Sequence, residues 1–189
     1  MLLIVGVAAE RVLELFLSLR NGNRALARGG IETGQRHYRW MVAIHTLFLI
    51  SCVAEVQLLE RPFHPLIGPV ALGLAVAAMG LRYWAISTLG EHWNTRVIVV
   101  PDEPVVRDGP YRWLRHPNYV AVIVEIAALP LIHGAWITAV LFSAANAIIL
   151  AVRIRCEEQT LAGHSDYGEV FEAHGRFVPG GNLAGRGGE

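Results

Sequence analysis

The sequence predicts an all-α integral membrane protein with about five transmembrane helices. Of its 189 residues, 53% are hydrophobic and 17% are charged, whereas a soluble domain of this size carries about 25% charged residues. The apolar residues are gathered into several long runs separated by polar, arginine-bearing segments, which is the pattern of membrane-spanning helices. The formal net charge is zero, so the composition gives no indication of nucleic-acid binding.

The first half of the chain holds three predicted spans and one basic loop. The first span is unusual because Glu10, Arg11 and Glu14 lie on neighbouring helical turns, and ionisable groups at membrane depth normally face the interior of a bundle. These three residues either form a structural ion-pair network or make one polar wall of a substrate or cofactor cavity. The predicted spans cover residues 1–19, 40–59 and 65–89, and the basic loop covers residues 20–39.

The second half of the chain is predicted to end in a helical hairpin. Two apolar runs, residues 118–132 and 135–154, are separated by a tight turn. Residues 157–177 then continue the fifth helix or form an amphipathic surface helix. Residues 1–179 therefore make a single transmembrane domain, and we expect the glycine-rich residues 180–189 to be a disordered tail.

The long connection before the hairpin, residues 90–116, contains a short segment, residues 97–100, that favours extended structure. This connection, the first loop and the end of the fifth span hold most of the arginines. Because positively charged loops remain in the cytoplasm, we expect these three regions to be cytosolic and the N-terminus to lie outside, across a bacterial inner membrane.

Residues 109–119 concentrate groups that can carry chemistry. Pro117 cannot continue a helix behind it but favours starting one, so Arg115 and His116 are predicted at a helix N-terminus. Positive side chains beside such a terminus make a natural anion site. A basic loop that only fixes topology would explain the arginines, but it would not explain Tyr111, His116 and Tyr119 beside them.

A second charged cluster ends the fifth span. The start of the fourth span should lie beside the end of the fifth, because the two helices are antiparallel. The residues expected to face each other across a small gap are Arg115, His116 and Tyr119 on one side and Arg153, Glu157 and Glu158 on the other. Both a plain network of salt bridges and a site for a cationic ligand fit the two adjacent glutamates.

Several motifs, in order, resemble the isoprenylcysteine carboxyl methyltransferase family of integral membrane methyltransferases. They cover about half of the chain, and they are Leu89–Gly90, Gly109–Pro110–Tyr111–Arg112, Arg115–His116–Pro117–Asn118–Tyr119, Arg153–Ile154–Arg155–Cys156–Glu157–Glu158, Tyr167 and Arg176–Phe177–Val178–Pro179. Pieces of the first half resemble a bacterial branch that methylates alkylpyrones or phenolic lipids beside type III polyketide synthases. Those pieces are Glu10–Arg11 with Glu14, Arg28–Gly29–Gly30 with Glu32, and His37–Tyr38.

The resemblance implies S-adenosylmethionine as the methyl donor. The cofactor would bind in a cytosolic pocket formed by the last two helices, the preceding loop and the C-terminal segment. The candidate cofactor-binding residues are Tyr111, Arg115, His116, Pro117, Tyr119, Glu157 and Glu158. Glu157 suits the ammonium group, Arg115 and His116 suit the carboxylate, and an aromatic ring suits the adenine or the sulfonium.

The resemblance also implies a lipophilic acceptor that enters from the bilayer and receives the methyl group on an oxygen atom. Arg153 and His116 are the candidate catalytic residues, and Trp93 and Arg153 are the candidate acceptor-binding residues. An acceptor carboxylate needs no base, whereas a phenol or enol needs one, for which His116 or Glu158 is a candidate. No metal is expected, because the cysteines and histidines do not fall at metal-ligand spacing.

The chain carries no segment that reads as a prenyl-peptide recognition element. The expected acceptor is therefore a small lipophilic molecule, such as an alkylpyrone or alkylresorcinol, with isoprenylcysteine as another candidate and a functional link to a type III polyketide synthase. Two other enzyme classes stay open, an NADPH-dependent sterol-type reductase with a similar Arg-His-Pro-Asn-Tyr ending and a phospholipid N-methyltransferase. The non-enzymatic alternative is a small transport or structural bundle.

Overall fold

The computed structural model describes residues 2–171 and 174–177, and its architecture is helical, as predicted. The five long helices are α1 (Leu2–Ala27), α2 (Gln35–Leu58), α3 (Ile67–Leu89), α4 (Pro117–Leu131) and α5 (Trp136–His164), and a short helix, α6 (Tyr167–Val170), follows them. Val178, Pro179 and the predicted tail at residues 180–189 lie outside the described residues.

Within the described residues, three helical segments are long and apolar enough to cross a membrane. They are Gln35–Leu58, Ile67–His92 and Trp136–His164, and Pro117–Leu131 is a shorter apolar helix. Helix α1 is long enough to span but carries Glu10, Arg11 and Glu14. The length and apolar composition of these helices fit a membrane protein, and the count of five spans stays a prediction.

Two predicted boundaries are wrong, because tertiary contacts extend the helices through polar sequence. Helix α1 continues to Ala27, well into the predicted loop at residues 20–39, and its last turns bury Ser18 and Asn21 against the connection after α3. Helix α5 continues to His164, ten residues beyond the predicted end at residue 154. Of the two alternatives for residues 157–177, direct continuation of the fifth helix is correct as far as His164.

A small antiparallel ribbon joins the first loop to the long connection. Strand β1 (Ile31–Thr33) pairs with strand β2 (Val97–Val99), with Ile31 opposite Val99 and Thr33 opposite Val97. The extended segment predicted near residue 97 is confirmed, and β1 was missed. The Thr33 hydroxyl lies 2.9 Å from the Thr160 hydroxyl of α5, so the ribbon is fastened to the last long helix.

Helix α4 packs between α3 and α5. Small residues on α3, including Ala71, Ala75 and Ala78, are almost fully buried and allow the close helix approach typical of membrane bundles. The beginning of α5 is held by a carboxylate from α2. Glu55 accepts hydrogen bonds from the backbone N–H groups of Ile137 at 3.2 Å and Thr138 at 2.7 Å, which satisfies donors that a helix N-terminus leaves unpaired.

Candidate functional site

The site is built around the N-terminus of α4. His116 occupies the N-cap position with Pro117 at the first helical position, as the sequence predicts, and both residues are buried. The residues before them form a 3-10 turn, Gly109–Arg112, which buries Tyr111. Gly109 has φ +54°, and a side chain there would overlap Thr88 of α3, so this turn requires glycine.

The His116 imidazole lies between two glutamates of α5. Its Nε2 atom donates to Glu158 Oε1 at 3.1 Å, and its Nδ1 atom lies 4.0 Å from Glu157 Oε1. The Tyr167 hydroxyl is 3.4 Å from the same Nε2 atom. The predicted convergence of the two chain segments is confirmed as geometry, although His116 faces carboxylates rather than an open position for an anion.

A hydrogen-bonded chain links Tyr119 of α4 to two residues of α5. Arg153 Nε donates to the Tyr119 hydroxyl at 2.6 Å, and that hydroxyl donates to Glu157 Oε2. Arg153 is only 3% exposed, and its Nη1 atom finds no hydrogen-bond partner among the described residues. Leaving a buried guanidinium donor unpaired is costly, so Nη1 is suited to receive an oxygen of a bound molecule.

The C-terminal segment closes the back of the site. Arg176 donates to both carboxylate oxygens of Glu158, at 2.9 Å from Nε and 2.5 Å from Nη2. The backbone N–H groups of Arg115 and His116 donate to the carbonyls of Gly175 and Arg176 at 3.1 and 3.3 Å. Glu158 therefore lies behind His116 as part of its support.

Trp93 lies in the connection after α3, and this connection is fastened to α1. Asn21 donates to the carbonyls of Trp93 at 2.9 Å and Gly90 at 3.0 Å. The backbone N–H of Thr95 donates to the Ser18 hydroxyl at 3.0 Å. These contacts explain why α1 stays helical through polar sequence, and they hold Trp93 with 3% exposure.

A cavity of about 680 Å³ brings these groups together. Seven of the candidate site residues line it, namely Trp93, Tyr111, Arg115, His116, Tyr119, Arg153 and Glu157. Pro117 is buried at the start of α4, outside the cavity wall, and Glu158 is likewise held behind the wall. Residues of α1 and α2 also line the cavity, so it extends beyond the predicted set of last two helices, preceding loop and C-terminal segment.

Part of the cavity wall carries charge. Arg11, Glu14 and Arg82 line this part. Arg82 forms a bidentate ion pair with Glu125 of α4, and Arg11 pairs with Glu14 at 2.7 Å and with Glu125 at 3.4 Å. Arg11 and Glu14 therefore belong to an ion-pair network and also line the cavity, whereas a role of this wall in holding a substrate or cofactor stays a prediction.

Burial keeps two tyrosines of the site neutral. It raises the pKa of Tyr111 well above its ordinary value, and the nearby Glu157 carboxylate raises the pKa further. Burial likewise raises the pKa of Tyr167, with Glu158 and Glu157 adding to the effect. Hydrogen bonding to Glu158 raises the pKa of Arg176, so this guanidinium stays charged.

Two residues of the site lay outside the candidate set. Arg176 and Tyr167 were quoted among the family motifs but were given no role, and they contact Glu158 and His116 respectively. Their place in the C-terminal motif was the signal that could have found them. Among the described residues, no group of three or more histidine, cysteine, aspartate or glutamate side chains is arranged to hold a metal ion.

Comparison with known proteins gives one family match. Residues 71–163, which run from α3 to the end of α5, match the isoprenylcysteine carboxyl methyltransferase (ICMT) family. This range contains nearly all of the cavity wall contributed by the loop after α3, by α4 and by α5. No solved structure matches the chain significantly.

Three relatives are similar over most of the chain. Uncharacterized protein YpbQ of Bacillus subtilis is 41% identical over 165 residues, covering 87% of this chain and 97% of that protein. An uncharacterized protein of Haemophilus influenzae is 27% identical over 157 residues, covering 82% and 91%. Protein-S-isoprenylcysteine O-methyltransferase of Schizosaccharomyces pombe is 29% identical over 135 residues, which is 70% of this chain and 56% of that enzyme.

Proposed function

This chain belongs to the isoprenylcysteine carboxyl methyltransferase family, as the sequence motifs predicted, and we propose that it transfers the methyl group of S-adenosylmethionine to an oxygen atom of a lipophilic acceptor. Family membership implies a membrane methyltransferase, and the helices fit a membrane protein. The name of the Schizosaccharomyces pombe relative, an O-methyltransferase, supports oxygen as the methylated atom.

The residues at the α4–α5 junction fit the chemistry of S-adenosylmethionine. This cofactor supplies an already activated methyl group on a sulfonium, so the protein needs mainly to bind and orient. Glu157 lines the cavity with its side chain 26% exposed and can pair with the ammonium group. Arg115 is the basic side chain on the same wall that suits the carboxylate, and the ring of Tyr111 offers a surface for the adenine or the sulfonium.

Of the two roles predicted for His116, the geometry supports that of a base better than that of a ligand for the cofactor carboxylate. Because the carboxylates of Glu158 and Glu157 lie on either side of its ring, the anionic cofactor carboxylate is poorly placed beside it. Its Nε2–H is fixed by Glu158, which leaves Nδ1 turned toward the cavity side where Glu157 lies. We assign His116 as the proton acceptor for a phenol or enol acceptor.

The observation that carries the acceptor site is the Nη1 atom of Arg153, which has no hydrogen-bond partner in the described part of the chain. Arg153 lines the cavity, and its guanidinium is fixed through Nε by Tyr119. A preorganised donor of this kind stabilises an anionic oxygen, whether a carboxylate or a phenolate whose pKa it lowers. Trp93 lines the same cavity and supplies an apolar surface for the acceptor.

Apolar residues of α1 and α2 suit a route for a lipid. Val12 and Leu15 of α1 and Val42 and Ile50 of α2 line the cavity with side chains that are 42–59% exposed. An opening between α1 and α2 would let a long apolar chain leave the cavity while the polar head remains inside. These apolar residues support an acceptor that is delivered from the bilayer.

The charged part of the cavity wall favours one acceptor class over another. A branched prenyl chain filling the cavity would lie against Arg11, Glu14 and Arg82, whose contact with hydrocarbon is costly. A ring with its own polar substituents, as in an alkylpyrone or alkylresorcinol, suits that wall better. We therefore place a ring-bearing phenol or enol lipid ahead of isoprenylcysteine as the acceptor.

The proposal is tested by methyl transfer from isotopically labelled S-adenosylmethionine. The purified protein is given 5-pentadecylresorcinol, an S-farnesylcysteine derivative or phosphatidylethanolamine, and the labelled product is identified. Label on a resorcinol oxygen is the expected result. Label on the phosphatidylethanolamine nitrogen would establish an N-methyltransferase, and saturable NADPH binding without S-adenosylhomocysteine binding would establish a reductase.

A further inference from the structure

A second cavity, of about 290 Å³, lies on the side of the α4–α5 pair. Three small residues of α5, Ser143, Ala147 and Ala151, follow one another at four-residue intervals and form the floor of a groove, with Ile123 of α4 on its wall. The groove runs along an apolar helix that is long enough to cross the membrane. Its shape suits an extended hydrocarbon chain.

Two arginines close the end of this groove that lies toward the active site. Arg155 lines the groove and is exposed. Arg176 also lines it, and its side chain is 51% exposed although two of its nitrogens hold Glu158. Two guanidinium groups against one carboxylate leave this end of the groove positive, so an anion is the complementary ligand.

Asn146 places a polar group on the groove wall, and a ligand made only of hydrocarbon would leave this group without a hydrogen bond. It is 2% exposed and lines the cavity, and its Oδ1 atom has no hydrogen-bond partner among the described residues. A buried amide of this kind is destabilising next to pure hydrocarbon. A molecule that combines an acyl chain with ester or hydroxyl groups would satisfy the amide.

We propose that this groove binds one anionic glycerophospholipid, with its phosphate between Arg155 and Arg176 and one acyl chain along the small residues of α5. A zwitterionic lipid binds more weakly, because its cationic headgroup returns positive charge to the two arginines. An arginine near an anionic lipid surface contributes about a fivefold change in affinity.

The lipid site is coupled to the active site through Arg176. This residue holds Glu158, which accepts a hydrogen bond from His116, and its carbonyl accepts the His116 backbone N–H. A lipid that fixes the C-terminal segment against α5 also fixes the support of His116, so it tightens cofactor binding several-fold. This coupling rests on the proposed function, whereas the lipid site itself does not.

The binding experiment uses the full chain in neutral detergent, titrated with phosphatidylglycerol or phosphatidylcholine, with bound lipids counted by native mass spectrometry. The expected result is one phosphatidylglycerol per chain at about tenfold higher affinity than phosphatidylcholine. Arg155→Gln should remove about fivefold of that affinity. Arg36→Gln, an equal loss of charge at an exposed arginine on α2 outside the groove, should leave it unchanged.

A second variant tests where the acyl chain lies, and a second ligand tests whether a phosphate group alone is enough for binding. Ala151→Leu fills the floor of the groove at an exposed position, so it should block the acyl chain without disturbing the core. Inorganic phosphate alone should not raise the melting temperature as phosphatidylglycerol does. Equal affinity for the two lipids, full affinity in Arg155→Gln, or protection by inorganic phosphate equal to that by the lipid would overturn the site.

The coupling has its own readout, which is the dissociation constant of S-adenosylhomocysteine with and without phosphatidylglycerol. A several-fold lower constant with the lipid supports the coupling, and an unchanged constant refutes it while the lipid count still stands. If S-adenosylhomocysteine does not bind under either condition, the proposed function fails, and the lipid count continues to report on the groove alone.

Discussion

Arg153 and Tyr119 are joined by a hydrogen bond of 2.6 Å from the guanidinium Nε to the phenolic hydroxyl, across the packed surface of α5 and α4. Both side chains are buried, at 3% and 7% exposure. The bond fixes the plane of the guanidinium, whose Nη1 atom has no partner within residues 2–171 and 174–177, while the same hydroxyl holds Glu157. One tyrosine thus orients both the group assigned to the acceptor and the group assigned to the cofactor.

Tyr119→Phe tests this orienting role. Removing the hydroxyl frees Arg153 and Glu157 from their common partner, so kcat should fall about tenfold, and the S-adenosylhomocysteine dissociation constant should rise by a smaller factor. Steady-state kinetics and calorimetry measure the two effects. Tyr83→Phe, which removes a hydroxyl from a half-exposed tyrosine of α3 outside the cavity wall, is the matched control. Unaltered kinetics in Tyr119→Phe would show that the arginine is oriented by other contacts.

Glu157→Gln tests the ammonium assignment. The substitution keeps the shape and one hydrogen-bonding oxygen but removes the charge, so S-adenosylhomocysteine should bind about ten- to a hundredfold more weakly. Glu60→Gln, at an exposed position in the α2–α3 connection, should bind as the wild type does. If Glu157→Gln keeps wild-type affinity, the ammonium group lies elsewhere.

Glu125→Ala tests the charged network at membrane depth. The variant leaves Arg82, whose side chain is 7% exposed, without its bidentate partner. Breaking a buried pair by removing one member costs about 3–5 kcal/mol, so the melting temperature in detergent should fall by many degrees. Glu60→Ala serves as the exposed control. A melting temperature equal to that of the wild type would mean that the network contributes nothing to stability.

Alkaline titration tests the buried tyrosines. A tyrosine whose pKa is raised in the folded protein stabilises it fully below the unfolded pKa of 10.0, and this contribution is lost as the pH rises toward the folded pKa. Stability should therefore be level near neutral pH and decline above about pH 10. Tyr167→Phe should make the decline shallower, as followed by thermal unfolding between pH 8 and pH 11. An equally steep decline in the variant would contradict the burial effect.

The meeting of His116 with Glu157 could be predicted from the sequence because it depends on short-range order. Two apolar runs separated by a tight turn must form an antiparallel hairpin, and the start of one helix then lies beside the end of the other. Pro117 at the first helical position fixed where α4 begins. The helical fold followed from the long apolar runs, whereas candidate cavity residues such as Trp93 and Tyr111 followed from the resemblance to the family.

Strand β1 and two of the ion pairs could not be predicted from the sequence, because they depend on contacts between distant segments. Strand β1 has three residues, and its partner lies more than sixty positions away, so no local pattern indicated it. The ion pair of Arg82 with Glu125 requires the packing of α3 on α4, which periodicity does not specify. The return of Arg176 to Glu158 likewise depends on where the chain goes after α5.

The central claim is that the Nη1 atom of Arg153 holds the acceptor oxygen beside a cofactor bound on Glu157. The direct measurement compares Arg153→Ala with the wild type, using labelled S-adenosylmethionine with 5-pentadecylresorcinol for turnover and S-adenosylhomocysteine for binding. We predict a loss of kcat/KM for the acceptor of at least about a hundredfold, with the S-adenosylhomocysteine dissociation constant changed by less than about threefold. Wild-type turnover in Arg153→Ala, or an equal loss of cofactor binding and turnover, would contradict the account.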